Sequence, residues 1–200
     1  MRDRPWIVLV GNHNPNKGHE LAFEVMRDLR KQIPEARATL IGGNYPADKW
    51  SLGRFGVKGG CWYKCRLRSF VEPGIELRRN IPRQDVISAI READLLLVTS
   101  KWEASPLMVL ESMAAGTPWV SVDVGCVREH AGGVVVESLK EMVDTSAALL
   151  QDRTRRRELG SAGRHRIAER HDWNAVAGQY EKLFRSVSQH ASLRDLQTRT

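Results

Sequence analysis

Short apolar runs separated by helical segments constrain the fold of this chain most strongly. The run Trp6–Val10 lacks polar–apolar alternation, which is typical of a strand buried on both faces of a sheet. A segment with apolar residues at helical spacing follows over 19–33, and a second apolar run, Ala38–Ile41, comes next. Because a strand–helix–strand unit forms a right-handed crossover, this order predicts a three-layer α/β domain around a parallel sheet, with helices at the C-terminus.

A second unit of the same kind lies near the middle of the chain. Leu95–Val98 is an apolar run of strand type, and Trp119–Val122 is the next one. Between them we predict a helix with Ser105 as N-cap and Pro106 at the first helical position, ending at Gly116. A helix that starts at the carboxyl end of a parallel strand favours an anionic ligand, because its free N–H groups and its dipole converge there.

Two acidic residues frame this predicted helix start. Glu103 precedes it and Glu111 lies inside the helix, with seven residues between them. Glu111 is followed by Ser-Met-Ala-Ala-Gly-Thr-Pro, then a strand and a glycine. This arrangement resembles the E-x7-E signature of the retaining nucleotide-sugar glycosyltransferases of the GT-B fold, also called group 1 or family 4. The resemblance extends over residues 6–186.

The resemblance implies a domain organisation. It identifies the chain with the C-terminal, donor-binding, Rossmann-like half of a GT-B fold. We expect this domain at 1–187, with a basic and aromatic insertion at about 44–74 and a polar tail at 188–200. The acceptor site of such enzymes lies largely on their N-terminal domain. The implied partners are therefore a nucleotide-sugar donor and a missing N-terminal acceptor-binding domain.

The first loop of the family reads close to G-R-x-x-x-x-K-G, and its two cations hold the donor diphosphate. Here Gly11, Lys17 and Gly18 match, whereas Asn12 occupies the arginine position. The resemblance implies that Lys17 meets phosphate charge, and an ordinary surface lysine is the alternative. Asn12 can donate a hydrogen bond to phosphate but brings no charge.

The turn that packs on the nucleotide base in the family usually carries a glycine. The matching position here is Arg79 or Asn80, which leaves base recognition open. We expect Ile81 and Arg83 to contact the base, and ordinary loop packing is an equal alternative for both.

The resemblance also assigns roles around the central helix. Glu111 is expected to accept hydrogen bonds from the donor ribose, and Glu103 to contact the transferred sugar near the leaving diphosphate. Leu107 and Met108 are expected to act through backbone N–H groups, and Ser105 completes the donor-binding set. Glu103 and Lys17 are the implied catalytic residues.

The implied reaction transfers a hexosyl-type unit from a nucleoside diphosphate sugar to an acceptor with retention at the anomeric carbon. Positive charge from Lys17 and from the helix N-terminus would stabilise the departing diphosphate. We expect no cofactor and no metal ion, since the protein supplies that charge and the sequence has no Asp-x-Asp pair.

Other functions stay open at this stage. The chain alone is expected to be inactive or weakly active, so a non-catalytic nucleotide- or nucleotide-sugar-binding module acting with a partner domain is the main alternative. Glycoside hydrolysis by Glu103 and Glu111 is another, since hydrolase carboxyl groups lie about 5–9.5 Å apart. Eight helical residues would rise about 12 Å, although a break at Ser105-Pro106 shortens that separation.

Composition places the chain among globular proteins with an anionic ligand or a basic surface. It has 200 residues, a net charge of +7 and a pI near 9.7, which suits a nucleotide, an anionic lipid surface, a nucleic acid or a solvated arginine-rich face. We expect no nucleic-acid partner, because the sequence has no nucleic-acid-binding motif.

No apolar run could span a membrane and the N-terminus lacks a signal-peptide core, so we expect a cytoplasmic location. A membrane-peripheral association and a lipid-linked acceptor are left open.

Three cysteines do not make a disulfide framework. Cys61 and Cys65 have C-x3-C spacing, and Cys126 is remote from them. A zinc site would need two further ligands, and no histidine is nearby in the sequence. The sequence therefore predicts no metal site.

Overall fold

The computed structural model describes residues 4–43 and 60–197. Over these residues the six strands are β1 Trp6–Val10, β2 Arg37–Gly42, β3 Ile75–Arg79, β4 Leu95–Val98, β5 Trp119–Val122 and β6 Gly133–Val136. The seven α-helices of the same described ranges are α1 His19–Gln32, α2 Gly60–Val71, α3 Arg83–Glu92, α4 Leu107–Ala115, α5 Leu139–Gln151, α6 Arg153–Arg170 and α7 Trp173–Gln197. Within the described helices, we find none that combines the length and apolar character needed to cross a lipid bilayer.

All six strands are parallel, in the order β3-β2-β1-β4-β5-β6. This confirms the predicted Rossmann-like α/β fold. The chain winds outward from β1 in one direction through β2 and β3, and in the other through β4, β5 and β6. The strand order therefore reverses between β1 and β4, where Ile7 is paired with Leu95 and Val8 with Leu96. Ligands of such sheets bind beyond the carboxyl ends of the strands at this point of reversal.

The core forms on both faces of the sheet because its central strands are apolar throughout. Alternate residues of β1 and β4, such as Ile7 and Leu95, join α1 and α5 in one buried cluster with Phe23 and Met142. Val8 and its neighbours on the opposite face are equally buried but lie outside that cluster. Helices α3 and α4 contact each other.

One helix start differs from its prediction. Pro106 is the N-cap of α4, with an extended ψ of 102°, and no side chain caps the helix. The prediction of Ser105 as N-cap was therefore wrong by one residue. Gly116 ends α4 in the left-handed conformation (φ 74°), as predicted.

The insertion predicted at about 44–74 lies partly outside the described residues, since nothing is described between 44 and 59. Its remainder forms α2, which packs on α1 and β3. The basic and aromatic character of 60–74 therefore belongs to a helix of the domain.

Residues 1–164 and 165–200 form two separate compact units. In the second unit, Asp172 Oδ1 accepts hydrogen bonds from Asn174 N and Ala175 N at the start of α7, as an N-cap residue does. Large apolar side chains of α7 such as Trp173 and Phe184 are exposed. The boundary expected between the domain and the polar tail at residue 187 lies within α7, which continues to Gln197. This boundary stays a prediction.

Gly133 of β6 offers a test of the packing around Trp119. A Cβ at Gly133 would lie 2.0 Å from the Trp119 ring, which is fully buried and held by a 3.0 Å hydrogen bond from Nε1 to Ala131 O. We expect Gly133→Ala to lower the free energy of unfolding by about 1–3 kcal/mol, measured by urea denaturation. Gly178→Ala in α7 is the control, because a Cβ there meets no atom within 4 Å. Equal stability of the two variants would contradict this account.

Candidate functional site

Two loops meet at the carboxyl ends of β1 and β4. The first joins β1 to α1 and carries Lys17, and the second joins β4 to α4. Lys101 N donates a 2.7 Å hydrogen bond to Asn16 O, and Thr99 Oγ1 donates a 3.0 Å hydrogen bond to Lys17 O. Thr99 is 3% exposed, so this second bond is part of the interior. The reversal of strand order thus brings the two loops into direct contact.

Gly18 makes this contact close. It has a left-handed backbone (φ 62°), and a Cβ on it would lie 1.8 Å from Thr99 O. No side chain fits there, and L-residues rarely adopt this conformation. The two loops can approach this closely only with glycine at position 18, which is the glycine that matches the family motif.

Lys17 and Glu103 form an ion pair across the two loops. Lys17 Nζ lies 2.5 Å from Glu103 Oε1, and their side chains are 25% and 13% exposed. The structure thus brings together the two residues predicted to be catalytic. A lysine ammonium has three N–H donors, so Lys17 can contact Glu103 and still donate to an anion.

The N-terminus of α4 lies beside this pair. Met108 lines one small cavity together with Gly11 and Lys17, so three predicted donor-binding residues meet there. Since no side chain caps α4, its first backbone N–H groups are available to a ligand. Ser105 and Leu107 are exposed at this helix start.

Glu111 is held by a second cation. The Arg83 guanidinium at the start of α3 donates two hydrogen bonds to the two carboxylate oxygens of Glu111, one of them 3.2 Å long. The hydrogen bond to Glu111 raises the pKa of the Arg83 guanidinium above its ordinary value. A carboxylate has about four acceptor positions, so Glu111 keeps acceptor capacity for hydroxyl groups. Among the described residues, no hydrogen bond or ion pair joins this pair to the Lys17–Glu103 pair.

The two departures from the family pattern occupy ordered turns. Asn12 Oδ1 accepts a 3.2 Å hydrogen bond from Gly43 N, which leaves the Asn12 amide group as the donor. Asn80 has a φ of 52° and is the one non-glycine residue with positive φ in the described chain. Asparagine tolerates this conformation better than most residues, so it can stand where the family has glycine. Ile81 is half-buried in the same turn.

Comparison with known proteins identifies the family of this chain. A sequence profile of the family described as glycosyl transferases group 1 matches residues 2–166 of the 200. The chain belongs to the group 1 glycosyltransferase family. The predicted resemblance is thereby confirmed.

Relatives and solved structures of group 1 glycosyltransferases extend the comparison. The D-inositol 3-phosphate glycosyltransferase of Corynebacterium aurimucosum is 27% identical over 192 residues, which cover 89% of this chain and 42% of that protein. The lipopolysaccharide core biosynthesis mannosyltransferase LpsB of Rhizobium meliloti is 34% identical over 107 residues, which cover 48% of this chain and 30% of that protein. The C-terminal domain of a glycosyl transferase group 1 family protein (LpcC) from Francisella tularensis has a TM-score of 0.66 at 19% identity, covering 84% of this chain and 87% of that one. The chain spans less than half the length of the curated relatives it matches.

Gly125 lies against the backbone of Glu103 and Ala104, and sequence reasoning did not assign it to the candidate site of this group 1 glycosyltransferase chain. It has a φ of 56°, and a Cβ on it would lie 2.4 Å from Ala104 O and 2.8 Å from Glu103 O. Cys126 N donates a 3.2 Å hydrogen bond to Ala104 O. The loop after β5 therefore supports the backbone of Glu103. The sequence feature that could have pointed to Gly125 is the glycine that follows the strand in the family signature.

A cluster of His13, His19, Cys61 and Cys65 lies beside Lys17 and was not predicted. We call it the His–Cys cluster. His19 lines the same small cavity as Lys17, and its Nδ1 lies 3.7 Å from Sγ of both cysteines. No histidine lies near the C-x3-C pair along the chain, but α1 and the first loop bring two histidines to α2.

The electrostatics of the His–Cys cluster are asymmetric. The hydrogen bond from Cys65, together with the adjacent rings of His13 and His19, lowers the pKa of the Cys61 thiol, against an opposing effect of burial. That hydrogen bond and burial raise the pKa of Cys65. His13 is fully buried, and neither of its ring nitrogens has a hydrogen-bond partner among the described residues. A buried polar group without a hydrogen bond lowers the stability of the folded state by about 1–3 kcal/mol, so the burial of His13 is unfavourable by itself.

Gly18→Ala tests the contact between the two loops. We expect it to cost about 1–3 kcal/mol more than Gly74→Ala, measured by urea denaturation. Both glycines have positive φ, but the atoms nearest to a Cβ at Gly74 belong to the flexible Arg30 side chain, whereas a Cβ at Gly18 would clash with the backbone of Thr99. Equal costs for the two substitutions would show that the loops are not closely packed.

Proposed function

We propose that this chain is the donor-binding half of a group 1 glycosyltransferase. In this proposal it binds a nucleoside diphosphate sugar, and the whole enzyme transfers the hexosyl-type unit to an acceptor with retention. The observation that carries the proposal is the Lys17–Glu103 ion pair, which lies at the reversal of strand order beside the uncapped N-terminus of α4. An ammonium group and free backbone N–H groups converge there, as a diphosphate requires.

The donor diphosphate would lie between Lys17 and the start of α4. Lys17 donates hydrogen bonds to it, and the backbone N–H groups of Leu107 and Met108 add donors without side-chain involvement. When the bond between the anomeric carbon and the diphosphate oxygen breaks, its electron pair stays on that oxygen. Lys17 and the α4 dipole stabilise this developing negative charge, so the reaction itself needs no metal ion in this proposal.

The nucleoside would extend towards α3. Glu111 accepts hydrogen bonds from the ribose hydroxyl groups while Arg83 holds its carboxylate in place through two hydrogen bonds. Arg83 thereby acts on the ribose through Glu111, and Ile81 is left as the residue of that turn proposed to contact the base.

Glu103 would contact the transferred sugar. Its carboxylate lies 2.5 Å from the Lys17 ammonium, so a sugar at this carboxylate would have its leaving diphosphate at Lys17. The negative charge of Glu103 suits the oxocarbenium character that the sugar acquires as the diphosphate departs.

The acceptor site is proposed to lie on a second domain outside this sequence, since the chain spans less than half of its curated relatives. Without that domain the cleft that excludes water is incomplete, and we expect binding without efficient transfer. The same observation supports the alternative of a non-catalytic nucleotide-sugar-binding module with a partner domain. Transfer by the protein joined to its N-terminal domain would support the enzyme, and its failure with intact donor binding would support the module.

Thermal unfolding with UDP, GDP and ADP tests donor binding directly. A nucleotide at a hundred times its dissociation constant should stabilise the chain by about 2.7 kcal/mol. For a chain of this length that corresponds to a shift in the melting temperature of about 2–4 °C. A shift with one nucleotide identifies the base, and the absence of a shift with all three and with their sugar conjugates would contradict the donor-site assignment.

Lys17→Ala and Glu111→Ala should each weaken binding of that nucleotide about tenfold or more, since each removes hydrogen bonds to a charged group. Titration calorimetry gives the dissociation constants. Lys140→Ala and Glu158→Ala are matched controls, because they break exposed ion pairs with Asp144 and Arg155 on α5 and α6. Affinities unchanged in both site variants would rule out the proposed binding mode.

A further inference from the structure

The His–Cys cluster joins three separate parts of the chain at one point. His13 follows β1, His19 begins α1, and Cys61 and Cys65 lie one turn apart on α2. Residues four apart on a helix share one face, so both thiols can face a single centre. Over residues 4–43 and 60–197, this is the one group of His, Cys, Asp or Glu side chains placed to hold a metal ion.

The distances in the cluster fit a tetrahedral centre. One ligand atom from each residue lies within 4.8 Å of the other three. With Zn–S bonds of about 2.3 Å and Zn–N bonds of about 2.0–2.1 Å, neighbouring ligand atoms of a tetrahedral site lie about 3.3–3.8 Å apart. The two distances of 3.7 Å from His19 Nδ1 to the cysteine sulfurs already fall in that range. The remaining contraction is therefore at most about 1.5 Å for any pair.

The chemistry of the four groups also fits zinc. Two thiols and two imidazoles are a common ligand set of structural zinc sites, and four protein ligands close the coordination sphere. The spacings are C-x3-C and H-x5-H, both within the usual ranges for such sites. This ligand set points to a structural zinc ion, because a catalytic site keeps one position open.

His13 supplies the second, independent observation. It is fully buried, and its two ring nitrogens have no hydrogen-bond partner among the described residues. Its ring packs edge-on against His19 and Trp62, each 4.7 Å away between ring centroids. A metal bond to one nitrogen would account for this otherwise unfavourable burial.

We propose that His13, His19, Cys61 and Cys65 bind one Zn²⁺ ion in a closed tetrahedral site that fastens α2 to the loop carrying Lys17. His13 and His19 flank Lys17 in the sequence and bound the segment 13–19, which runs from the loop after β1 to the first residue of α1. An ion held by both histidines therefore fixes the two ends of that segment to α2. The proposal does not depend on the nucleotide-sugar function, since it concerns how the loop is held and not what it binds.

Metal analysis of the purified chain is the first test. The protein is prepared without a histidine tag, kept reduced, incubated with zinc sulfate and separated from unbound ion. We expect one zinc per chain by mass spectrometry, about none in the Cys61→Ser/Cys65→Ser variant, and one in Cys126→Ser. Cys126 is a matched control because it also lies near a histidine, with its Sγ 3.4 Å from His130 Nε2.

Cobalt substitution reports the ligands directly. Co²⁺ in the reduced protein should give the intense visible bands of tetrahedral coordination and a thiolate charge-transfer band in the ultraviolet. Cys65→Ser keeps one thiolate and should lose part of the charge-transfer intensity, so the test survives if the double variant does not fold. His13→Asn should weaken the visible bands, since it removes a nitrogen ligand.

Three results would overturn the proposal. They are a zinc content far below one per chain after incubation, equal zinc content in the wild type and the folded double-cysteine variant, and a cobalt spectrum without a thiolate band. Nucleotide binding plays no part in these measurements, so failure here is distinguishable from failure of the proposed function.

Discussion

The approach of the β1–α1 loop to the end of β4 is the contact on which the rest of the candidate site depends. Because Gly18 has no Cβ, its backbone can lie against Thr99 O, and the Thr99 hydroxyl can reach the carbonyl of Lys17. The Lys17 ammonium then lies next to Glu103. The two side chains are largely buried, and the cost of desolvating two charges offsets much of their attraction, so this pair is positioned by backbone packing and is weak evidence for added stability. Its position at the reversal of strand order is the one that the proposed diphosphate site requires.

The fold followed from the sequence because its central strands are continuous apolar runs. The predicted bounds of β1, β4 and β5 are confirmed without change, and each run ends at a glycine or a polar residue. The start of α4 was less predictable, since Ser-Pro is compatible with serine or proline at the N-cap. The extended ψ of Pro106 decides between them, and backbone geometry of this kind is not encoded by residue type alone.

Side-chain partnerships were the part that the sequence could not supply. Arg83 and Glu111 were predicted as separate contacts of the base and the ribose, yet they form one ion pair between α3 and α4. The His–Cys cluster was missed because ligands were sought near Cys61 and Cys65 along the chain. Packing of α2 on α1 brings His19 to these thiols across more than 40 residues, which only the tertiary structure reveals.

The proposed zinc ion would act on the candidate site by position and not by charge. Two thiolates balance the charge of Zn²⁺ and the histidine ligands are neutral, so the closed centre carries no net charge. It therefore cannot replace the positive charge that the family has at the position of Asn12. Lys17 and the start of α4 remain the source of positive potential for a diphosphate.

A zinc ion that holds His13 and His19 would instead reduce the conformational freedom of the loop between them, and a preordered loop loses less entropy when a ligand binds. On this argument, zinc removal would weaken nucleotide binding by a factor that does not depend on ionic strength, whereas the contribution of Lys17 would fall as salt is raised.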